Sequence, residues 1–484
     1  MEQVKDTLTG IYDQIQPYLA KTVFIHSSNV DEYVHYLSSM SGLRDDAARI
    51  VITTVLSYPL CYIHAAIKSP KIKKLMSIIF GVIILQFCFG EAYSVVVYLL
   101  MLFAPHKYEP YIIFIFTMLY MSICMIYSLV TDYMGWSCDS TVYQMILVIR
   151  LSSLGFDYFD GVYDRKNQEN IIKNSKNAKL VRTCELRRAT RINALPSLLD
   201  YFAYCYHFAG LLGGPTIFYR EYLDVVNNKT FPNGKIPKRF GSVLLNIVNC
   251  AILFALWIYL GSMFSPQYLI TEEYGLLPFW KQYIILSIAC ISQSLKYMAT
   301  WKLGEGVCVA NGFGSVKTEK GIQWTGVSNV NVFKFLLSQD MGEATKNWNL
   351  RTQKWLSRYV YFRTGYSLLC VYIVSAFWHG FYPGYYISFL FCGVCQYASR
   401  FTKTRLYNRI KDNYYLEKIY CRLANIMTMF YGCYCVNAHF LLSLENAKKY
   451  YGNLHYIPHI ALLIALCILM IIPPKKDTTK EKMN

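Results

Sequence analysis

At 484 residues, 54 % of them hydrophobic and only 16 % charged, the chain reads as one apolar body, a polytopic membrane protein rather than a string of soluble domains. Its net charge of +18 sits in short basic clusters between apolar segments, which suits membrane orientation and anionic headgroups and argues against nucleic acid. Sixteen cysteines scattered through apolar runs read as small buried hydrophobes, not as a disulfide framework or a zinc site, and Cys392-Gly-Val-Cys395 lies inside an apolar segment unsuited to redox exchange.

Residues 1–47 are mixed polar sequence without the apolar centre of a cleavable signal peptide, and are expected to form an interfacial segment. A first span is expected at about 50–67, followed by a positive loop of Lys68, Lys71, Lys73 and Lys74 placed in the cytosol. The stretch 75–104 is too long for one crossing and contains Gly90-Glu91, so it predicts two tilted or broken helices. Further spans are expected at 111–130 and 141–156. The second carries Arg150 and leads to Asp157 and Asp160, two carboxylates that could orient a substrate headgroup, or could cap the helix and pair with Arg150. The pattern favours the cap and ion pair.

Residues 164–191, with nine Lys/Arg against Asp164, Glu169 and Glu185, predict a polar, partly flexible cytosolic loop. Gly213-Gly214-Pro215 marks either a tunnel wall or a re-entrant turn, and Asn228-Lys-Thr230 is a formal glycosylation sequon that a cytosolic loop would leave unused. Spans follow at 241–264 and 282–300, then a glycine-rich run through Asn311-Gly312-Phe313-Gly314 that lacks the ending of a phosphate-binding loop, then a cytosolic loop at 315–345.

The organising stretch is 345–390. Between Lys346 and Arg363 there are five basic and no acidic residues, interleaved with Trp348, Trp355, Tyr359 and Tyr361, as a lip for a polyanion or a juxtamembrane anchor would be. The uncharged run 366–378 then forms a helix that can enter hydrocarbon, and it ends in His379 before Gly380, Pro383 and Gly384. An ionisable group at that depth is either a carbonyl-bonded core histidine or a functional site. A positive loop from Arg400 to Lys411 and spans near 418–442 and 457–473 close the chain. His455 and His459 are separated by Pro458 and do not make one helical metal-binding face, so no metal is expected.

Trp348-Asn349, Trp355-Leu356, Tyr359, Tyr361, Trp378-His379-Gly380 and Pro383-Gly384-Tyr385-Tyr386 resemble the core of the membrane-bound O-acyltransferase family, with Asn349 and His379 as its two polar residues, 30 positions apart. Leu43 to Pro59, Asp157 to Gly161, Pro196 to Leu199, Gly213 to Pro215, Tyr268 to Trp280 and Glu305 to Cys308 are similar to landmarks of its lysophosphatidylcholine acyltransferase branch. The departures are the basic insertion at 164–191 and a shorter, aromatic link between Asn349 and His379.

The resemblance implies an all-α polytopic helix bundle of about eleven transmembrane helices, with re-entrant and interfacial segments, enclosing a reaction tunnel. The domains are an interfacial segment at 1–47, the acyltransferase body at 48–473 and a basic cytosolic tail at 474–484. It implies transfer of an acyl chain from acyl-CoA, a co-substrate and not a bound cofactor, to the free hydroxyl of a lysophospholipid, with choline, ethanolamine or serine headgroups. His379 would be the general base and Asn349 the thioester or oxyanion partner. Candidate substrate contacts are Trp348, Trp378, Tyr385, Asp157 and Asp160, with Lys354, Arg358 and Arg363 for the CoA phosphates. Other acceptors, among them lysophosphatidylinositol, neutral lipids and proteins, and a non-enzymatic transporter are the alternatives, and a homo-oligomer is left open. The ending Lys480-Glu481-Lys482-Met483-Asn484 resembles an endoplasmic-reticulum retrieval signal.

Overall fold

The computed structural model describes residues 28–41, 43–88, 94–135, 138–319 and 321–475. The interfacial segment up to residue 27, the Gly90-Glu91 break and the retrieval-like ending lie outside them. Among the described residues the chain is helical apart from one two-stranded antiparallel hairpin, Val316–Thr318 against Gly321–Gln323. It divides into two compact units: Met1–Cys250 with Thr300–Ser328, and Ala251–Ala299 with Asn329–Asn484.

The first unit is built around the helix Thr141–Val162, buried along nearly its whole length and against which Glu109–Thr131 packs. A helix apolar on all sides belongs inside, and this one carries Arg150 at its centre. The Arg150 guanidinium donates to the backbone carbonyls of Tyr204, Cys205, His207 and Ala209 at 3.1–3.2 Å, so it holds the irregular chain after the helix Leu198–Cys205 in place. Irregular backbone away from water needs such partners. That chain also needs its glycines. A Cβ on Gly304 would stand 2.4 Å from the Gly214 Cα, so the Gly213-Gly214-Pro215 turn crosses the helix Phe279–Asn311 at backbone contact.

Several expectations about this unit are corrected. Asp160 pairs with Arg187, not with Arg150, through both carboxylate oxygens, and Arg187 also bonds Asp164. Asp157 accepts from the Thr190 hydroxyl at 2.8 Å. These bonds, with Arg191 to Glu169 at 2.7 Å and the Asn177 cap, fold the supposed loop at 164–191 into two helices, Arg165–Asn174 and Ala178–Thr190. Lys71, Lys73 and Lys74 begin the helix Pro70–Cys88 instead of forming a free loop: Lys73 donates to Asn228 at 2.8 Å and Lys74 pairs with Asp200. Asn228, of the sequon, also donates to the Lys68 carbonyl, so its carboxamide is a structural part. The supposed loop at 315–345 holds the hairpin in this unit and, in the second unit, two short helices, Val332–Leu336 and the start of Met341–Asn347.

In the second unit, Pro383–Thr402 packs on Tyr414–Leu441 and on Leu368–His379. Gly384 permits the first of these packings. Its N–H donates to the Leu442 carbonyl at 2.6 Å, and an added Cβ would lie 2.3 Å from the Ala438 carbonyl oxygen. Among the described residues, two helices are long and apolar enough to cross a membrane, Glu109–Thr131 and the run Phe240–Ile270, and a third if Leu444–Asn453 and Ile457–Ile471, bent by 77°, count as one. The expected count of eleven is not reached on that measure. Phe240–Met263 buries only Val243, with Leu245, Ile258 and Tyr259 more than half exposed, as a lipid-facing helix does.

Candidate active site

His379 ends a helix of 12 residues, about 18 Å long, too short to cross a hydrocarbon layer of about 30 Å. Ser367 caps its start, accepting from the Cys370 N–H at 3.2 Å, and Gly380, at φ 122°, turns the chain away immediately after the histidine. Pro383 at the first turn of the next helix completes the reversal.

The His379 ring lies 2.7 Å, through Nδ1, from the Ser375 carbonyl oxygen. A carbonyl can only accept, so Nδ1 carries the proton and Nε2 is left as the basic nitrogen. The ring is half-buried within an aromatic shell: Trp378 at 4.8 Å between centroids, Phe389 at 4.7 Å and Tyr385 at 6.0 Å. His439, on the helix Tyr414–Leu441, faces it edge-on at 5.4 Å and lies 4.5 Å from Tyr385. Sequence reading passed over His439, although an ionisable side chain inside an apolar helix was the same signal that singled out His379.

Asn349 stands at the start of the short helix Leu350–Trp355 in the left-handed region, φ 46° and ψ 53°, which asparagine tolerates better than most residues. Its neighbours are tied to the preceding segment. Leu350 N–H donates to the Asn329 carbonyl at 2.8 Å, Arg351 N–H to the Asn329 side chain at 3.2 Å, and Asn331 N–H to the Asn347 carbonyl at 3.0 Å. The Asn349 backbone is thus held while its carboxamide makes no hydrogen bond to the protein among the described residues and keeps accessible surface. Neither a hydrogen bond nor a ring contact joins Asn349 to His379. The two elements meet instead through buried Trp355 and Trp378, 6.1 Å apart, and through a π-helical turn, Leu356–Tyr361, packed on the histidine helix.

Of the basic lip, Lys354 is exposed and Arg358 and Arg363 are half-buried, whereas Arg351 is only 1 % exposed and is withdrawn from any lip. Trp348 packs against Phe335, the rings tilted by 38° with centroids 5.1 Å apart. Asp157 and Asp160 belong to the other unit, bonded as described above. His459 accepts from or donates to the Tyr434 hydroxyl at 2.8 Å and stacks on Phe391 at 4.4 Å, a packing role.

The model of the MBOAT, membrane-bound O-acyltransferase family matches residues 125–440, which include every residue of this cluster. The chain belongs to the membrane-bound O-acyltransferase family. It is therefore an acyltransferase and a membrane protein. It is similar to membrane-bound glycerophospholipid O-acyltransferase 2 of Mus musculus, 25 % identical over 445 residues that cover 87 % of this chain and 83 % of that one. The lysophospholipid acyltransferase of Schizosaccharomyces pombe is 24 % identical over 473 residues, 91 % of this chain and 89 % of its own. Lysophospholipid acyltransferase 6 of Drosophila melanogaster is 26 % identical over 469 residues, 90 % of this chain and 62 % of its own. As a member of this family the chain is not the transporter that membrane-buried charges alone had left open.

Proposed function

We propose that this acyltransferase moves a fatty acyl chain from acyl-CoA to the free hydroxyl of a lysophospholipid, in the membrane of the endoplasmic reticulum, with His379 as general base and Asn349 as the donor to the thioester oxygen. The observation that carries the assignment is the Nδ1 bond of His379 to the Ser375 carbonyl, which leaves Nε2 as a lone pair inside an aromatic shell. The acceptor oxygen attacks the thioester carbonyl carbon while Nε2 takes its proton. The C–S bond then breaks, and the proton passes from Nε2 to the departing CoA sulfur. Base catalysis of this kind contributes typically ~10²- to 10⁴-fold. A carboxamide N–H aimed at the developing oxyanion adds about 10²- to 10³-fold, and the held backbone and unengaged side chain of Asn349 suit that part. Lys354, Arg358 and Arg363 are the cations offered to the CoA phosphates, with Trp348, Trp378 and Tyr385 as apolar walls.

The names of the relatives support a glycerophospholipid acceptor, and choline, ethanolamine and serine headgroups are the expected ones. The test is acyl transfer in microsomes from a panel of acyl-CoAs to lysophosphatidylcholine, -ethanolamine, -serine and -inositol, with His379→Ala at matched expression. Activity on at least one acceptor that vanishes in the variant is expected. A fully active His379→Ala removes the base assignment, and inert lysophospholipids move the acceptor to neutral lipids or proteins.

A further inference from the structure

Phe333 and Leu337 ill suit a surface that faces water. They lie four positions apart on, and just after, the short helix Val332–Leu336, so they share a face, and they are 79 % and 59 % exposed. Lys334 is exposed beside them. A polar clamp fixes this turn to the helix Tyr414–Leu441. There Asn425 donates through Nδ2 to the carbonyls of Leu336 and Ser338, at 2.9 Å each, and the buried Ser338 hydroxyl donates to the Lys334 carbonyl at 2.6 Å. Flanking Asn425 in that helix, Ile419, Leu423 and Ile426 are more than half exposed, at spacings of four and three that put them on one face. The two exposed side chains of the turn thus continue an apolar stripe that, in a membrane protein, meets lipid.

The same turn grips the segment that carries Asn349. Asn331 caps it, its side chain accepting from the Lys334 N–H at 3.2 Å, and the Asn331 N–H donates to the Asn347 carbonyl at 3.0 Å. Two residues earlier, the carbonyl and side chain of Asn329 take the N–H groups of Leu350 and Arg351. Phe335 packs against Trp348. Asn349 is therefore held from both sides, in its left-handed conformation, by residues that belong to the turn or lead into it. All of them lie in the second unit.

We propose that Phe333 and Leu337 insert among the acyl chains of the bilayer and, through Asn331 and Asn329, position Asn349 for the thioester. This rests on the role given to Asn349 above and adds the bilayer as that residue's support. Acyl chains are the occupant because the two side chains continue a lipid-facing stripe, and Lys334 beside them suits the headgroup layer that an interfacial element meets. Phe333 and Leu337 are positioning residues: they act on the reaction only through the backbone around Asn349.

The experiment uses the full-length protein in phosphatidylcholine nanodiscs and has two arms. In the first, a benzoylphenylalanine photocrosslinker replaces Phe333, and the adduct is mapped by mass spectrometry. A bond to a phospholipid acyl chain is expected; a bond to protein, whether another segment or a second copy, or no adduct, overturns the insertion. The second arm measures kcat for Phe333→Leu, Phe333→Ser and the pair Phe333→Ser with Leu337→Ser, each alone and in an Asn349→Ala background. Displacing a reacting group by about 1 Å costs up to about 100-fold, so the serine pair should lower kcat by about 10- to 100-fold and Phe333→Leu should keep it. Because both side chains are exposed, their loss leaves no cavity and the melting temperature should hold. In the Asn349→Ala background the serine pair should lower kcat no further. An undiminished kcat in the serine pair, or an equal loss with and without Asn349, overturns the positioning role. Should the pair fail to accumulate, Phe333→Ser decides on the same terms. A fully active Asn349→Ala would instead refute the thioester role in the proposed function, and the crosslink would still judge the insertion.

Discussion

His64 and His207 lie 5.3 Å apart between ring centroids, and His379 and His439 lie 5.4 Å apart, yet the two pairs have opposite surroundings. His64, Ser77 and His207 are at most 1 % exposed. The Ser77 hydroxyl stands 3.2 Å from His64 Nε2 and 2.9 Å from His207 Nδ1 while donating to the Lys73 carbonyl at 3.0 Å, so it ties the two rings to one helix. The second pair has no bridging hydroxyl. One of its rings is fixed by a backbone carbonyl through one nitrogen only, the other is held by aromatic contacts, and both keep accessible surface. Residue type and spacing are thus nearly the same. His64 Nδ1 and His207 Nε2 also lack a hydrogen-bond partner, but they are sealed inside the protein. What separates a structural pair from one that can do chemistry is whether the rings keep surface that something outside the protein can reach.

The largest expected effect tests that difference directly. His379→Gln should lower acyl transfer by about 10²- to 10⁴-fold in protein that accumulates and melts like wild type. His207→Gln should do the reverse, lowering the yield of folded protein by disturbing a buried network, with the activity of each folded molecule nearly kept. Activity per folded molecule, from detergent-solubilised protein measured by fluorescence-detected gel filtration, separates the two. If His207→Gln is folded and inactive, burial is not the distinction drawn here.

How much of this was legible in the sequence follows from the kind of interaction that fixes each part. His379 stood out because it ends an uncharged run at a glycine, a local pattern. His439 also lies in an uncharged stretch of the segment 418–442, but Phe440, Leu441 and Leu442 follow it with no glycine break, so it merges into that span, and only the fold places it against His379 and Tyr385. Most helix positions followed from hydropathy, for example 111–130 against the observed Glu109–Thr131 and 241–264 against Phe240–Met263. Residues 164–191 did not, because their helices are held by ion pairs whose partners, Asp160 and Glu169, cannot be chosen from composition alone. Nor could sequence separate Arg150, which serves backbone carbonyls, from Arg187, which serves carboxylates.

A smaller effect bears on the carboxylates that sequence offered as headgroup contacts. Asp160→Asn removes the buried partner of Arg187 and should destabilise the first unit by about 3–5 kcal/mol. Asp157→Asn keeps an acceptor for the Thr190 hydroxyl and should cost about 1 kcal/mol. Thermal melting checks both. A lysophospholipid KM that rises in either variant without a drop in melting temperature would return these carboxylates to the substrate and weaken the contrast between the units.

The smallest effect is a pH dependence of the same helix pair. The hydrogen bond from Arg191, outweighing partial desolvation, and then the charges of Arg191, Arg188 and Arg165, hold the Glu169 carboxyl below its ordinary value of 4.5. A carboxyl lowered in the folded state binds its proton less readily there than in the unfolded chain. Its contribution is therefore present at neutral pH and is lost as the pH falls from about 4.5 through the folded-state value. Because Glu169 is 45 % exposed, although Arg191 is only 9 % exposed, solvent screens the pair from the carboxylate side and the loss stays local. Hydrogen exchange of Arg165–Asn174 and Ala178–Thr190, corrected for intrinsic rates, should quicken at pH 4 relative to pH 7. Glu169→Gln should show the quicker exchange at both. Equal protection in wild type at the two pH values would mean that Asp160 and Asp164 hold Ala178–Thr190 without Glu169, and that the first unit is clamped from its buried side alone.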